Sequence, residues 1–362
     1  MSLFVERLLL QNFRNYTYQE FNDFSGINIL VGENARGKTN FIEGLQLVTA
    51  LASFRKATTE QLIAYQQKAA HLEVRALSDT RRLDIGLTLE NKRRYYTLNG
   101  KSKKPLELQG LLPAVTFTPD DLSLIKGSNS GRRNALDLLG CQVNKNYAQV
   151  KRDYEKVIKH KNKLLKEEAD QDIVDAINEM VVTVGTQLTY FRVNLFNRLK
   201  PYIIEKYQEI ADSRELLDVE YRIPTSADLL ITKQDIRQNI EENLVLVKEK
   251  ERERGVSLCG PHTHEIIFTL NGNNATLFGS QGQQRSIVLA FKIAETLIID
   301  EILQQKPLLL LDDVMSELDT KRRKALMESI NHGSQTFITT AHIDYFTPDM
   351  LELSKVISLN NQ

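Results

Sequence analysis

Tryptophan is absent from this chain, cysteine occurs twice and proline eight times in 362 residues. The two cysteines, Cys141 and Cys259, stand far apart without a motif partner. That excludes a disulfide-stapled secreted scaffold and points to free thiols in a reducing compartment. No run approaches the about 18 consecutive apolar residues of a membrane-spanning helix. The first residues, Met1 to Arg7, show no basic region followed by an apolar stretch. No membrane association is therefore expected, and the reading is cytoplasmic. An excess of charge of either sign is missing too, since 47 Lys and Arg balance 47 Asp and Glu. Any affinity for nucleic acid must come from local patches. With 41% hydrophobic residues the chain can bury a large core, and its length suggests two lobes.

Between an apolar run, Ile27 to Val31, and a helix-like stretch starting at Lys38 lies Gly32-Glu33-Asn34-Ala35-Arg36-Gly37-Lys38-Thr39, followed by Asn40. A glycine-rich turn from strand to helix is the setting of a phosphate loop. Gly32 and Gly37 admit backbone angles and close approaches that a Cβ forbids, so successive N–H groups can converge on phosphate oxygens at a positive helix end. Lys38 is expected to reach the β- and γ-phosphates of ATP, and the Thr39 hydroxyl to bind Mg²⁺.

Pro307 opens the second decisive segment. Leu308 to Leu311 read as a strand buried on both faces of a parallel sheet, with Asp312 and Asp313 at its carboxyl end. Ligands of open α/β sheets bind at that edge, so Asp312 is the expected metal residue and Asp313 the group expected to polarise the attacking water. Ser280-Gln281-Gly282-Gln283-Gln284 precedes a long helical pattern. It is either a helix cap or a second anion site. One chain seldom needs two such sites for one triphosphate, so two subunits could pack head to tail, Ser280 of one meeting the γ-phosphate held by Lys38 of the other. Ser316-Glu317-Leu318-Asp319 and a strand Thr336 to Thr340 ending at His342 complete the order.

That order resembles the ATP-binding cassette class and, within it, the RecF DNA-repair family. The resemblance runs nearly end to end and includes Asn12-Phe13-Arg14-Asn15-Tyr16, the phosphate loop, Thr118-Pro119-Asp120-Asp121-Leu122, Arg132-Arg133 with Asp137, Gly260-Pro261-His262, Ser280 to Arg285 and Thr339-Thr340-Ala341-His342. It implies an α/β cassette-type head with a mixed sheet and an inserted, mainly helical second lobe. It also implies a signature Ser280, a subunit-crossing Asp319, a switch histidine at 342, and Arg14, Asn15 and Tyr16 near the nucleotide base. Asp313 stands where most cassette ATPases carry Glu, one methylene longer, and slow turnover is the corresponding expectation. The implied role is recombinational repair and replication restart at gapped DNA, with an ATP-dependent homodimer and the partners RecR, RecO and RecA. A scaffold that never hydrolyses and a transporter ATPase subunit are the rival readings. Where the family continues Gly-Pro-His with Arg-Asp-Asp, this chain has Thr263-His264-Glu265. His262 and His264 at strand spacing would face opposite ways, so no metal site is expected there.

Lys92, Arg93, Arg94, Lys101, Lys103 and Lys104, with Tyr95 and Tyr96 interleaved and an Asn99-Gly100 hairpin signal between them, are either phosphate contacts or the solvated face of a hairpin, and the resemblance favours duplex or junction DNA. Lys145 to Glu168 adds a second basic stretch on a helical pattern. Arg132 and Arg133 either contact phosphate or pair with carboxylates. Short strands (72–78, 83–89, 95–98) give way to helices at 146–169, 172–211 and 233–254. The expected head is 1–120 with 255–362, and the expected helical arm is 121–254.

Overall fold

The computed structural model describes residues 3–33, 35–78, 80–211, 215–224, 226, 232–330 and 333–359. Fourteen strands are present among them: β1 (Phe4–Phe13), β2 (Tyr16–Asn22), β3 (Ile27–Val31), β4 (Ala69–Leu77), β5 (Arg82–Glu90), β6 (Arg93–Leu98), β7 (Lys101–Lys103), β8 (Ala114–Phe117), β9 (Leu217–Arg222), β10 (Glu265–Leu270), β11 (Asn273–Asn274), β12 (Leu308–Asp312), β13 (Thr336–Thr340) and β14 (Ser354–Ser358). The chain divides into two units, one of Met1–Leu122 with Val288–Gln362, the other Ser123–Ile287.

The first unit holds two sheets of different kind. One is wholly antiparallel, in the order β2-β1-β4-β5-β6-β7, and the other wholly parallel, in the order β14-β3-β13-β12-β8. The helix Lys38–Thr49 lies between them, which explains why it is buried almost all round rather than along one stripe. Phe41 and Leu45 share one cluster with Leu8, Leu10 and Leu72 of the antiparallel sheet and with Leu30, Leu310 and Phe337 of the parallel one. Gly44 makes the close approach possible, because a Cβ there would stand 2.9 Å from Leu10 Cδ2. Every residue of β12 and β13 is buried, as the four leucines predict for an interior strand.

Helices Asn129–Val143, Lys145–Lys166, Gln171–Ile210 and Lys233–Arg254 dominate the second unit. Local chemistry sets their ends. Asn144 accepts from the backbone N–H groups of Asn146 and Tyr147, Thr232 accepts from that of Asp235, and Gly255 closes the last helix with φ of 63°. The unit continues past Arg254, where the sequence alone ends the arm, because β10 pairs antiparallel with β9 and carries the chain back beside the helices. The mainly helical reading of the insert names no strand of that three-stranded sheet, β11-β10-β9.

Two ion pairs are buried in this unit among the described residues, Lys161 with Glu251 at 2.6 Å and Arg192 with Asp137. Arg192 and Asp137, both nearly inaccessible, meet in a two-pronged contact with N···O distances of 2.8 Å, and Tyr147 donates to the same carboxylate at 2.6 Å. Burial opposes the Arg192 charge, but Tyr221 and Asp137 outweigh it and hold the guanidinium well above its ordinary pKa. Removing one partner of such a pair leaves an uncompensated buried charge. Arg192→Leu is therefore expected to cost about 3–5 kcal/mol of stability, read as a lower denaturation midpoint. A change under about 1 kcal/mol would show that the pair is replaceable by packing.

Candidate nucleotide site

The phosphate loop leaves β3 at the carboxyl edge of the parallel sheet, and β12 brings Asp312 and Asp313 to the same edge two strands away. Asn34 lies outside the described residues. Ala35 takes the left-handed conformation, φ 69°, as does Gly37, φ 93°. At Gly37 the requirement is double, since a Cβ would also sit 2.8 Å from Tyr16 Oη and 2.9 Å from Asn15 Nδ2. Tyr16 donates to the Gly37 carbonyl at 3.1 Å, and Asn40 donates to Asn15 Oδ1 at 2.7 Å. Asn15 and Tyr16 thus brace the loop. Arg14 is committed elsewhere: its guanidinium makes two 2.9 Å bonds to the fully buried Glu43 and a third to the Gln61 carbonyl. Arg36 lies 3.5 Å from Glu33 at the exposed rim.

Lys38 is buried, and its ammonium donates to the carbonyls of Gly32 and Glu33. Burial lowers its pKa while Asp313 and Asp312 pull it back up. Asp312 accepts from Thr339 Oγ1 at 2.8 Å. Burial raises its pKa, against hydrogen bonds from Thr339 and Thr39. Asp313 also has a pKa raised by burial, opposed by Lys38, and its backbone sits in the left-handed region, φ 51°. Its N–H is tied to Thr339, yet its buried Oδ1 has no hydrogen-bond partner. An orphaned acceptor beside a buried ammonium fits a site that a polar ligand completes. Thr39 and Asp312, already linked, are the hard oxygen donors that Mg²⁺ prefers, and one or two protein ligands suffice when phosphates supply others.

Of the remaining candidates, His342 is exposed, with its ring edge-on to Tyr345, and it counts among the groups that oppose the rise of the Asp313 pKa. Asp319 accepts from the backbone and the guanidinium of Arg322. Ser280 belongs to the second unit and forms a reciprocal cap: its hydroxyl accepts from Gln283 N–H at 3.2 Å, while Gln283 Oε1 accepts from Ser280 N–H at 2.7 Å. Gln283 also donates to Glu215 at 2.7 Å. Gln281 is exposed and Gly282 half-buried at the start of the helix Gln281–Leu303.

A cluster that motif reading missed adjoins the turn after β8. Lys292 lies 3.1 Å from Asp121 and 3.2 Å from Glu295. Asp121 in turn accepts from Thr118 N–H at 2.7 Å and from its hydroxyl at 3.1 Å. The i, i+3 spacing of Lys292 and Glu295 was visible in the sequence, but not their burial. Burial pushes the Glu295 carboxyl up to about 7 despite Lys292. A carboxyl whose folded pKa is raised stabilises the fold below its unfolded value and loses that contribution as pH rises through the folded one. Glu295→Gln should therefore match the parent in melting temperature near pH 5 and exceed it near pH 8. Equal melting curves at both pH values would remove Glu295 as a titrating group.

The basic candidates divide. The Asn99-Gly100 turn joins β6 and β7 as the sequence predicts, with φ of 50° and 75°. The pleat splits the patch: Tyr96 is buried and Arg94 reaches the Ala57 carbonyl, whereas Arg93 and Tyr95 are exposed. Lys101 and Lys104 are exposed, Lys103 pairs with Glu107 at 2.7 Å, and Lys92 approaches Glu60 at 3.6 Å. Arg132 is buried and spent on Asn129 and on the carbonyls of Leu124, Ile125 and Gly127, so it is no surface contact. Arg133 is half-buried and donates to the His264 carbonyl. Asp137 pairs with neither of these arginines but with Arg192. His262 lies in a short 3-10 turn, not a strand; its ring bonds the Ser257 carbonyl (3.0 Å) and Tyr154 hydroxyl (2.6 Å), while Tyr221 holds His264 at 2.9 Å. Cys141 and Cys259 are free, both pushed up to about 12 by burial. No helix among the described residues is long and apolar enough to cross a membrane.

Residues 4–362 match the model of the RecF/RecN/SMC N terminal domain. The chain is 33% identical to the DNA replication and repair protein RecF of Geobacillus kaustophilus, over 99% of this chain and 98% of that one. It is likewise 33% identical to the protein of that name from Streptococcus suis, over 98% of each. Among solved structures, the recombination mediator protein RecF with ATP, described as part of the RecFOR pathway, superposes with a TM-score of 0.88 at 29% identity, covering 95% of this chain and 93% of that one. An Smc head domain from Pyrococcus furiosus, at 17% identity and a TM-score of 0.54 over 98% of this chain and 93% of that one, shares the fold.

Proposed function

The chain belongs to the RecF family of DNA replication and repair proteins, and on that premise we propose that it is a slow ATPase that binds DNA as an ATP-dependent dimer. The observation that carries this reading is the convergence of Lys38 with Asp312 and Asp313 at one sheet edge, where Asp313 Oδ1 lacks a partner. The loop N–H groups and Lys38 would bind the phosphates, Tyr16 and Asn15 holding the loop in its curled form. Thr39 and Asp312 would hold Mg²⁺, which when bound neutralises developing phosphate charge. Asp313 would accept the proton of the attacking water, and its raised pKa suits that role. His342 would act on the same carboxylate. Binding at Arg14 itself would require breaking its two bonds to Glu43, so Arg14 acts by bracing.

Two subunits would then sandwich two nucleotides, Ser280 of each facing the phosphate loop of the other, with Gln281, Gly282, Gln283 and Asp319 flanking it. ATP supplies the differential affinity that favours the dimer, and loss of the γ-phosphate removes it. The clamp would act on double-stranded or gapped DNA in recombinational repair and replication restart, with RecR and RecO in placing RecA. Fluorescence anisotropy of labelled gapped DNA at fixed salt tests the coupling, comparing ATP with ADP and the parent chain with Ser280→Arg. Tighter binding with ATP in the parent alone supports the clamp. Identical binding in all four conditions would separate DNA affinity from the nucleotide site and favour a scaffold.

A further inference from the structure

Along the helix Lys145–Lys166, Arg152, Lys156, Lys159, Lys163 and Lys166 are all exposed, and they recur at i, i+4, i+7, i+11 and i+14. That spacing lays them in one stripe. The helix buries Tyr154, Val157, Lys161 and Leu165 instead, a second stripe on its opposite side. At 1.5 Å rise per residue the cationic row is about 21 Å long, with neighbours about 5–6 Å apart.

Four of the five cations line a cleft of about 980 Å³ within the second unit, beside the helix Asn129–Val143. Seven Lys and Arg line that cleft against three carboxylates, and the carboxylates are already engaged. Asp137 is bound by Arg192, Glu155 by Lys151, and Glu167 lies 3.6 Å from Lys163. Lys159 and Lys166 have no carboxylate partner among the described residues. Lys159 and Lys166 thus stand as uncompensated point charges in a row where Lys156 lies 3.6 Å from Asp153, Lys163 lies 3.6 Å from Glu167, and Arg152 alone carries a planar fork. Lysines of this kind track a phosphate chain without reading bases.

We propose that this stripe and cleft hold the sugar-phosphate backbone of duplex DNA, one strand running along the helix. Its length matches about six phosphates of one strand, which advance 3.4 Å each along the duplex axis. The proposal rests on the DNA-binding reading above and locates it on the helical unit. Counterion release provides the test, because the slope of log affinity against log salt becomes shallower by about 0.9 for every phosphate the protein no longer neutralises. The triple variant Lys159→Ala, Lys163→Ala, Lys166→Ala is compared with the parent by anisotropy on a labelled duplex with ATP, across a salt series.

The expected result is a slope shallower by about 2–3 and at least about tenfold weaker binding at low salt. ATP affinity and the melting curve should be unchanged, and the triple Lys→Arg variant should keep the parental slope. An unaltered slope and affinity in the alanine variant would overturn the proposal and leave the stripe a solvated face. Loss of binding to poly-glutamate with duplex binding intact would overturn it in favour of an acidic protein partner. If the parent chain binds no duplex at all, the DNA-binding reading falls and this proposal with it.

Discussion

Lys38→Ala is expected to lose ATP binding by at least about 100-fold, since two or more charge-assisted hydrogen bonds of about 1.5–3 kcal/mol each go with the ammonium. The loop's other cation, Arg36, lies at the exposed rim beside Glu33. Lys38 is the cation between the Gly32 and Glu33 carbonyls on one side and the field of Asp312 and Asp313 on the other. Without it two carbonyls lose their donor, and two carboxylates face the incoming triphosphate with less opposing charge. Burial depresses its pKa against the pull of Asp313 and Asp312, and phosphate oxygens would add further negative partners that favour the charged ammonium. Isothermal calorimetry with ATP is the direct measurement, and the Asp313→Asn protein, which keeps the loop, serves as the folded control. Full retention of binding by Lys38→Ala would remove the phosphate-loop assignment.

Asp313→Asn is expected to lower phosphate release by about 10²–10⁴-fold while ATP binding survives, the range for loss of a positioned general base. The substitution is a clean one. Asparagine tolerates the left-handed backbone that Asp313 adopts, φ 51°. The N–H bond to Thr339 is retained as well. What disappears is the negative charge and the proton-accepting oxygen that has no partner in the structure. Because burial raises the Asp313 pKa, the parent rate should climb as pH rises through that pKa, and the variant should lack the rise. Equal rates for parent and variant would eliminate Asp313 as the activating group and favour the nucleotide-gated scaffold.

Much of the local structure around the candidate nucleotide site was legible because its parts are local. A strand, a turn needing glycine and a helix start occupy one stretch, Ile27 to Thr49, and β12 announces itself as four leucines followed by two aspartates. Strand Thr336–Thr340 and helix Lys233–Arg254 fall where the pattern and its caps put them. Side-chain partners at long range were not legible. Arg14 is bound to Glu43, and Arg192, which no motif marks, takes Asp137 from Arg132 and Arg133. The pleat of β6 likewise sends alternate residues of one basic run to opposite faces.

The sequence alone determined the chemistry on offer: which residues can curl around phosphate, which strands are interior, which helix carries lysines at a helical repeat. Those properties depend on neighbours within a few residues, through backbone freedom, periodicity and caps. Tertiary structure decided which charges remain available. Burial desolvates Glu295 and Asp313, and distant partners engage Arg14, Arg132 and Arg192, while Lys159 and Lys166 stay open to the cleft. Desolvation and pairing act through space over a few ångströms, and only the folded chain brings those ångströms about.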